Sequence, residues 1–285
     1  EQTAIYLEIA SCSKSELIDL KDETWSSKRS GKRISSELKD RDSVTTGELK
    51  PFLTLPREEI SPVTIRTRLN ALKRRGIITP IGRGLYTLRK LYDYTPEIGQ
   101  TLREVYLELR KRLPLTRICV WRPSWLNEFT LHIVSMQTIV VESERETERA
   151  VFEVLQESLE KNSSINGIPL LLKPSSEDID LYVSDQTPVI VVGKLITEAP
   201  IRESDGVVIP RLEKMLVDLF SGEPVLEPFG GAEMDSVFRN AFDTYALNVD
   251  TILRYAARRG KRQEMVEYLT SKKLTGYREM LDDLR

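Results

Sequence analysis

The sequence predicts an α+β chain in two parts, a helical region closed by a Gly-rich hairpin and then an α/β domain with a helical tail. Three observations carry that expectation. Apolar residues recur at helical spacing between residues 44 and 75, and two short β-like runs follow on either side of Gly82 and Gly84. Between residues 115 and 220, β-branched runs alternate with amphipathic stretches. The last 55 residues hold helical patterning alone.

Bulk composition narrows the class. At roughly 150 residues per domain, 285 residues suggest about two. An apolar content of 40%, a charged content of 30% and a mean hydropathy of -0.31 fit a soluble chain with a real core. No run approaches the roughly 18–20 apolar residues of a membrane helix. The opening EQTAIYLEIASCSKSEL lacks the basic-then-apolar pattern of a signal peptide. One His (His132) and two Cys (Cys12 and Cys119) argue against a zinc site of about four ligands and against a disulfide framework. No metal or other cofactor is expected, and a cytoplasmic location is.

The elements follow in order. Ile5, Tyr6, Ile9, Leu17, Ile18 and Leu20 suggest a short helical start. Residues 22–43, rich in Ser and charge, read as irregular. Thr45 or Thr46 can cap a helix through Glu48, Leu49, Phe52 and Leu53, stopped by Pro56. Ser61-Pro62 is an N-cap followed by Pro at the first helical position, and Gly76 suits the C-terminal exit of the helix VTIRTRLNALKRR. Ile77–Thr79 and Leu85–Leu88 read as strands flanking Pro80-Ile81-Gly82-Arg83-Gly84. A helix is expected within 91–113, opened by Thr95-Pro96 and ended by Pro114. Beyond it, strands are expected at Arg117–Trp121, Gln137–Glu142, Pro169–Lys173, Asp180–Val183 and Pro188–Val192. Helical pieces are expected at Pro123–Glu128, Glu146–Leu159, Leu212–Phe220, Met234–Tyr245, Val249–Arg259, Gln263–Leu269 and Gly276–Leu284. Glu213 and Asp218 read as exposed or locally paired. His132, Trp121 and Trp125 read as core or interface.

Charge supplies the functional signal. The whole chain carries -2, which taken as an average argues against a nucleic-acid partner. Between Ser61 and Lys90, however, lie Arg66, Arg68, Lys73, Arg74, Arg75, Arg83, Arg89 and Lys90 with no acid, a local +8 that leaves -10 for the remainder. At about 100° per residue, Ile65, Leu69 and Leu72 share a buried face. The opposite face carries Thr67, Asn70 and Arg74, flanked by Arg66 and Lys73. Such side chains suit the DNA major groove, Arg for guanine, Asn for adenine and Thr for phosphate or a thymine methyl. Ser61 and Thr64 at the helix N-terminus can hold a phosphate. Arg83 between two glycines can enter a minor groove. A basic helix face is often merely solvated. Here two helices, a recognition helix and a Gly-Arg-Gly wing together give a winged helix-turn-helix followed by a C-terminal α/β domain with a helical tail.

The stretch SPVTIRTRLNALKRRGIITPIGRGLYTL resembles the winged helix of AbiEi-type antitoxins, in which a Thr-x-x-x-x-Leu helix leads to Gly-Ile and then Arg-Gly-x-Tyr. IVVESERETERAVFEVL, VVGKLITEAPI, IPRLEKMLVDLF and TILRYAARRGKRQEMVEYL resemble successive units of the companion domain, so the likeness covers residues 44–270. It rests on their order and spacing, and residues 1–43 depart from the family's usual start. The resemblance implies an antitoxin of a type IV toxin–antitoxin system. Such a protein represses its own operon by binding inverted repeats in double-stranded DNA, with two copies paired on the repeat. It opposes a nucleotidyltransferase-like toxin without needing a stable complex. On this reading residues 1–92 are the DNA-binding domain, 93–113 a connecting helix and 114–285 the antitoxin domain.

Two rivals remain. Asp178-x-Asp180 could hold Mg²⁺ in a nuclease or nucleotidyltransferase, although no Gly-Ser turn precedes it and no Glu-x-Lys follows it. Alternatively, the chain is a ligand-sensing transcription factor without a toxin partner. Arg254, Tyr255, Arg258, Arg259, Lys261 and Arg262 form a second basic cluster, read either as pairing within the chain or as a partner surface.

Overall fold

The computed structural model describes residues 24–161, 167–182 and 188–272, and the chain divides into two units between Lys90 and Leu91. The chain is α+β. The helical start expected over Ile5–Leu20, Cys12 and the helix expected over Gly276–Leu284 lie outside the described residues.

The first unit contains α1 (Ser27–Glu37), β1 (Val44–Thr45), α2 (Thr46–Leu53), α3 (Pro62–Arg74), β2 (Thr79–Gly82) and β3 (Leu85–Thr87). α1 occupies part of the span expected to be irregular. Its large buried residue is Ile34, which gives little periodic signal, and the rest of its contact comes from small residues. Ser30 and Gly31 are buried, and a Cβ at Gly31 would lie 2.3 Å from Ile77 Cδ1, so the helix backbone rests directly on that side chain. α2 starts with a reciprocal cap: Glu48 N–H donates to Thr45 Oγ1 (3.2 Å), and Thr45 N–H donates to Glu48 Oε2 (2.7 Å). Those bonds hold the Glu48 carboxyl below its usual pKa. α3 starts at the expected Ser61-Pro62, with Thr64 N–H donating to Ser61 Oγ at 3.1 Å. It leaves through Gly76 at φ 65°, a backbone conformation that favours glycine.

The expected hairpin forms, with its second strand starting at Leu85 as expected and its first strand starting two residues later than expected. Ile77 and Ile78 pack against α1 and the core, and the first strand is Thr79–Gly82. Thr79 pairs with Thr87, and Gly82 with Leu85, leaving Arg83-Gly84 as a two-residue turn. Strand order is β1-β3-β2. Ile34, Val44, Leu49, Phe52, Leu53, Leu69, Leu72, Ile78 and Tyr86 form the core between helices and sheet.

The second unit opens with α4 (Gln100–Arg112) and a four-stranded sheet ordered β4-β5-β7-β6. β4 (Ile118–Trp121) is antiparallel to β5 (Thr138–Ser143), while β6 (Leu170–Leu172) and β7 (Val189–Lys194) run parallel to β5. α5 (Glu148–Lys161) and α6 (Ser176–Tyr182) lie between the parallel strands in sequence. β8 (Ile201–Ser204) and β9 (Val207–Pro210) form a separate hairpin. α7 (Leu212–Phe220), α8 (Ala232–Thr244), α9 (Val249–Arg258) and α10 (Arg262–Ser271) make the expected helical end.

Three expectations change here. α4 begins after Gly99 and contributes Leu102, Val105, Tyr106 and Leu109 to the second unit's core, so it belongs to that unit and does not form a separate connector. The strand expected at Asp180–Val183 is the end of α6 through Tyr182; Ser175 and Asp178 exchange side-chain-to-backbone bonds (2.8 and 3.2 Å) that open a helix. His132 is exposed in the loop before β5. Glu213 and Asp218 are locally paired as expected, with Arg211 (3.5 Å) and Lys214 (2.6 Å), but in a buried setting.

The two sheet faces differ in chemistry. Ile139, Val141, Ile190 and Val192 meet α4 and α5 in an apolar core. The opposite face carries Glu142, and above it lies the fully buried Lys214 of α7. Lys214 Nζ donates to Glu142 (2.7 Å) and Asp218 (2.6 Å). Tyr255 OH donates to Asp218 Oδ1 (2.9 Å), Trp121 Nε1 donates to Glu142 (3.3 Å), and Arg259 bonds Glu223. Burial alone would lower the Lys214 pKa, but the Asp218 and Glu142 carboxylates hold it well above that of an ordinary lysine. Burial, with the neighbouring Asp218 charge, pushes Glu142 up to about 7.

Removing one member of such a cluster leaves an uncompensated buried charge. Asp218→Ala should therefore cost about 3–5 kcal/mol in denaturant unfolding of the second unit. The Glu142 shift also fixes a sign. Its folded pKa exceeds the unfolded value, so its contribution is present below pH 4.5 and is lost as pH rises towards about 7. Stability measured across that window should fall less steeply with pH in Glu142→Gln than in the parent chain.

Candidate nucleic-acid interface

Two local constraints shape the exposed surface of the first unit. Ile65, Leu69 and Leu72 turn one side of α3 inward, which leaves Val63, Arg66, Thr67, Asn70 and Arg74 exposed. The second constraint is at the hairpin tip. Gly84 has φ 73°, and its carbonyl accepts from Thr46 N–H (2.8 Å) and Thr46 Oγ1 (3.1 Å). A Cβ there would lie 3.3 Å from Thr46 Oγ1, so glycine answers both the backbone angle and the close approach. Arg83, next to this tethered residue, is exposed.

Between helix and hairpin runs a groove of about 410 Å³ lined by Pro62, Ile65, Arg66, Leu69, Asn70, Lys73 and Tyr86. Lys73 is half-buried, its Nζ 5.3 Å from the Tyr86 ring centre, so its stem is packed while its charge borders the groove. Arg66, Asn70 and Lys73 therefore share one edge of the helix.

The remaining expected residues are placed less simply. Ser61 Oγ accepts the Thr64 amide and lies 2.9 Å from Thr64 Oγ1, so the cap already engages much of this end's hydrogen-bonding capacity. Thr67 Oγ1 donates to Val63 O at 3.1 Å, leaving its methyl group and oxygen lone pair on the exposed side. Arg68, counted in the local +8, faces inward. It makes two parallel bonds to Glu58 (2.6 and 2.7 Å), reaches Leu53 O, and lies 5.3 Å from the Trp25 ring. Its guanidinium holds Glu58 below its usual pKa and ties the loop after α2 to α3.

The surface missed in the sequence is α1. It carries Lys28, Arg29, Lys32 and Arg33 with a single acid, Glu37. A run of four cations was visible, but without a periodic apolar face nothing said they stood on a helix.

Of the two carboxylates considered for a metal, Asp178 is the one whose side chain is described. Asp178 accepts from Ser175 N–H and Oγ (2.8 and 2.9 Å), which lowers its pKa, and the Asp180 side chain lies outside the described residues. Among the described residues, no three His, Cys, Asp or Glu side chains stand close enough to hold a metal ion. The C-terminal basic cluster is partly paired within its own unit: Arg258 with Glu198, Arg259 with Glu223, and Lys261 with Glu264 at 2.8 Å.

Residues 64–275 match a family of unknown function, DUF6577, and the chain belongs to it. No curated protein matches the chain. No described helix is long and apolar enough to cross a membrane.

The placement of Arg68 separates fold from interface. Arg68→Ala should lower the melting temperature of the first unit, whereas Arg66→Ala should leave it within about a degree or two, because surface changes away from packed features usually stay within ±0.5 kcal/mol.

Proposed function

We propose that this DUF6577 member is a winged helix-turn-helix repressor, with α3 as recognition helix in a DNA major groove and the β2–β3 hairpin as wing. The observation that carries the reading is the exposed edge Arg66, Thr67, Asn70 and Arg74 beside a hairpin whose tip is Arg83-Gly84. Arg and Asn supply bidentate donors and acceptors for guanine and adenine edges. Lys73 supplies backbone charge, and Arg83 reaches phosphate or an adjoining minor groove. Ser61 and Thr64 face the phosphates from the start of α3, chiefly through the N–H groups their cap leaves over.

The wider reading follows the AbiEi resemblance. The protein serves as antitoxin of a type IV system, acts in the cytoplasm, regulates its own operon as a pair of copies on inverted repeats, and opposes a nucleotidyltransferase-like toxin. No catalytic step, metal or cofactor is assigned to it. A second reading, a ligand-sensing regulator, is favoured by one feature. A cleft of about 200 Å³ at the carboxyl ends of β5 and β7 is lined by Trp121, Glu142, Lys194 and Arg259, a position where α/β sheets bind small molecules.

Gel-shift titration against the DNA upstream of the protein's own gene tests the repressor reading. Arg74→Ala and Asn70→Ala should each cost about 1–3 kcal/mol on the preferred sequence and much less on random duplex. Arg83→Ala should weaken both and reduce the salt slope by about 1. Equal retention of both sequences by all three variants would remove α3 as the reading helix. Rescue from a co-expressed neighbouring nucleotidyltransferase supports the antitoxin role; a metabolite that shifts operator affinity, without any such toxin, supports the sensor.

A further inference from the structure

The exposed arc of α3 has two shoulders. Arg66 and Lys73 stand on the side of Tyr86 and the hairpin, where they line one groove. Arg75, the C-terminal cap of α3, lies about half a turn away around the helix axis. There it lines a different, open trough of about 500 Å³, together with Lys28, Lys32, Ser35 and Ser36 of α1.

The trough has a specific structural origin. Its floor is Gly31 and Ile77, the pair that lets α1 lie directly against the chain leaving α3. A Cβ at Gly31 would have to displace the end of the Ile77 side chain, so the floor of the trough depends on glycine there. None of the three cations Lys28, Lys32 and Arg75 forms an ion pair with a described residue, and no described carboxylate lines the trough. Ser35 and Ser36 add two exposed hydroxyls. An open channel whose described lining holds three cations, two hydroxyls and no acid fits a phosphodiester strand better than a small enclosed ligand.

We infer that this trough is a second phosphate-backbone site, gripping the DNA strand on the side of α3 away from the hairpin. The inference rests on the recognition-helix reading. A helix lying in a major groove about 12 Å wide has a sugar-phosphate chain on each side. The hairpin with Lys73 meets one chain, and Lys28, Lys32 and Arg75 meet the other. The first unit thus straddles the groove, and α1 contributes affinity that carries no sequence information.

The test uses the full chain, a fluorescent random-sequence duplex and the upstream DNA of its own gene, with anisotropy recorded over a salt series. The triple variant Lys28→Ala/Lys32→Ala/Arg75→Ala should bind both duplexes more weakly by the same factor, on the order of tenfold or more at 0.1 M salt. Its log–log salt slope should be shallower by about 2–3, since each lost phosphate contact removes about 0.9. The preference for one duplex over the other should stay as in the parent chain. Lys28→Arg/Lys32→Arg should keep parental binding, which guards against an effect on folding. A triple variant with the parental slope and affinity overturns the trough while leaving the recognition helix standing. A parent chain with no salt-dependent duplex binding overturns both.

Discussion

The second unit is organised around one buried ammonium group. Lys214 has no exposure to water, so its charge is tolerable only because Glu142 and Asp218 meet it at hydrogen-bond distance. That requirement fixes more than one contact. Glu142 must sit on the central strand β5, Asp218 one turn along α7, and Tyr255 of α9 must present its hydroxyl to the remaining Asp218 oxygen. Trp121 of β4 completes Glu142. Two helices and two strands are thereby held in one relative arrangement, with far less freedom than apolar packing alone would impose.

This cluster also explains a pattern in the chain. The segments that carry the family resemblance, VVESE, LEKMLVDL and LRYAARR, lie about 70 and 40 residues apart, yet Glu142, Lys214, Asp218, Tyr255 and Arg259 converge in space. Charged letters in such segments invite an active-site interpretation. Their geometry shows a mutually bonded set, with Arg259 shared between Asp218 and Glu223. The apolar core on the other sheet face, by contrast, can exchange one β-branched residue for another at modest cost.

Much of the fold was legible because it was written in local chemistry. Thr45 and Glu48, Ser61-Pro62, Gly76 and Gly84 announce helix starts, a helix end and a turn through bonds made within a few residues. What escaped notice depended on distant partners. α1 is held by Gly31 against Ile77, forty-six positions away, and glycine leaves no hydrophobic signature. The end of α6 reads as a short strand until Ser175 and Asp178 are seen to cap a helix. Arg68 cannot be told from Arg66 by type; only its place on the inward side of α3, opposite Glu58, turns it from a surface charge into a structural one. Of the expected interface, the helix edge and the hairpin tip were readable, and the α1 surface was not.

The inward Arg68 has a further consequence. The groups that hold α3 in place, Arg68 with Glu58 and the apolar row beneath, are separate from the groups it displays. Arg66, Asn70 and Arg74 make no hydrogen bond to another described residue, and the Thr67 hydroxyl bonds only within its own helix. The displayed letters can therefore be rewritten without disturbing the spelling that folds the domain. If the proposed repressor role holds, a lineage of such chains could drift from one operator to another through single exposed substitutions, each nearly neutral for folding, and so keep neighbouring copies in one genome from silencing each other's genes.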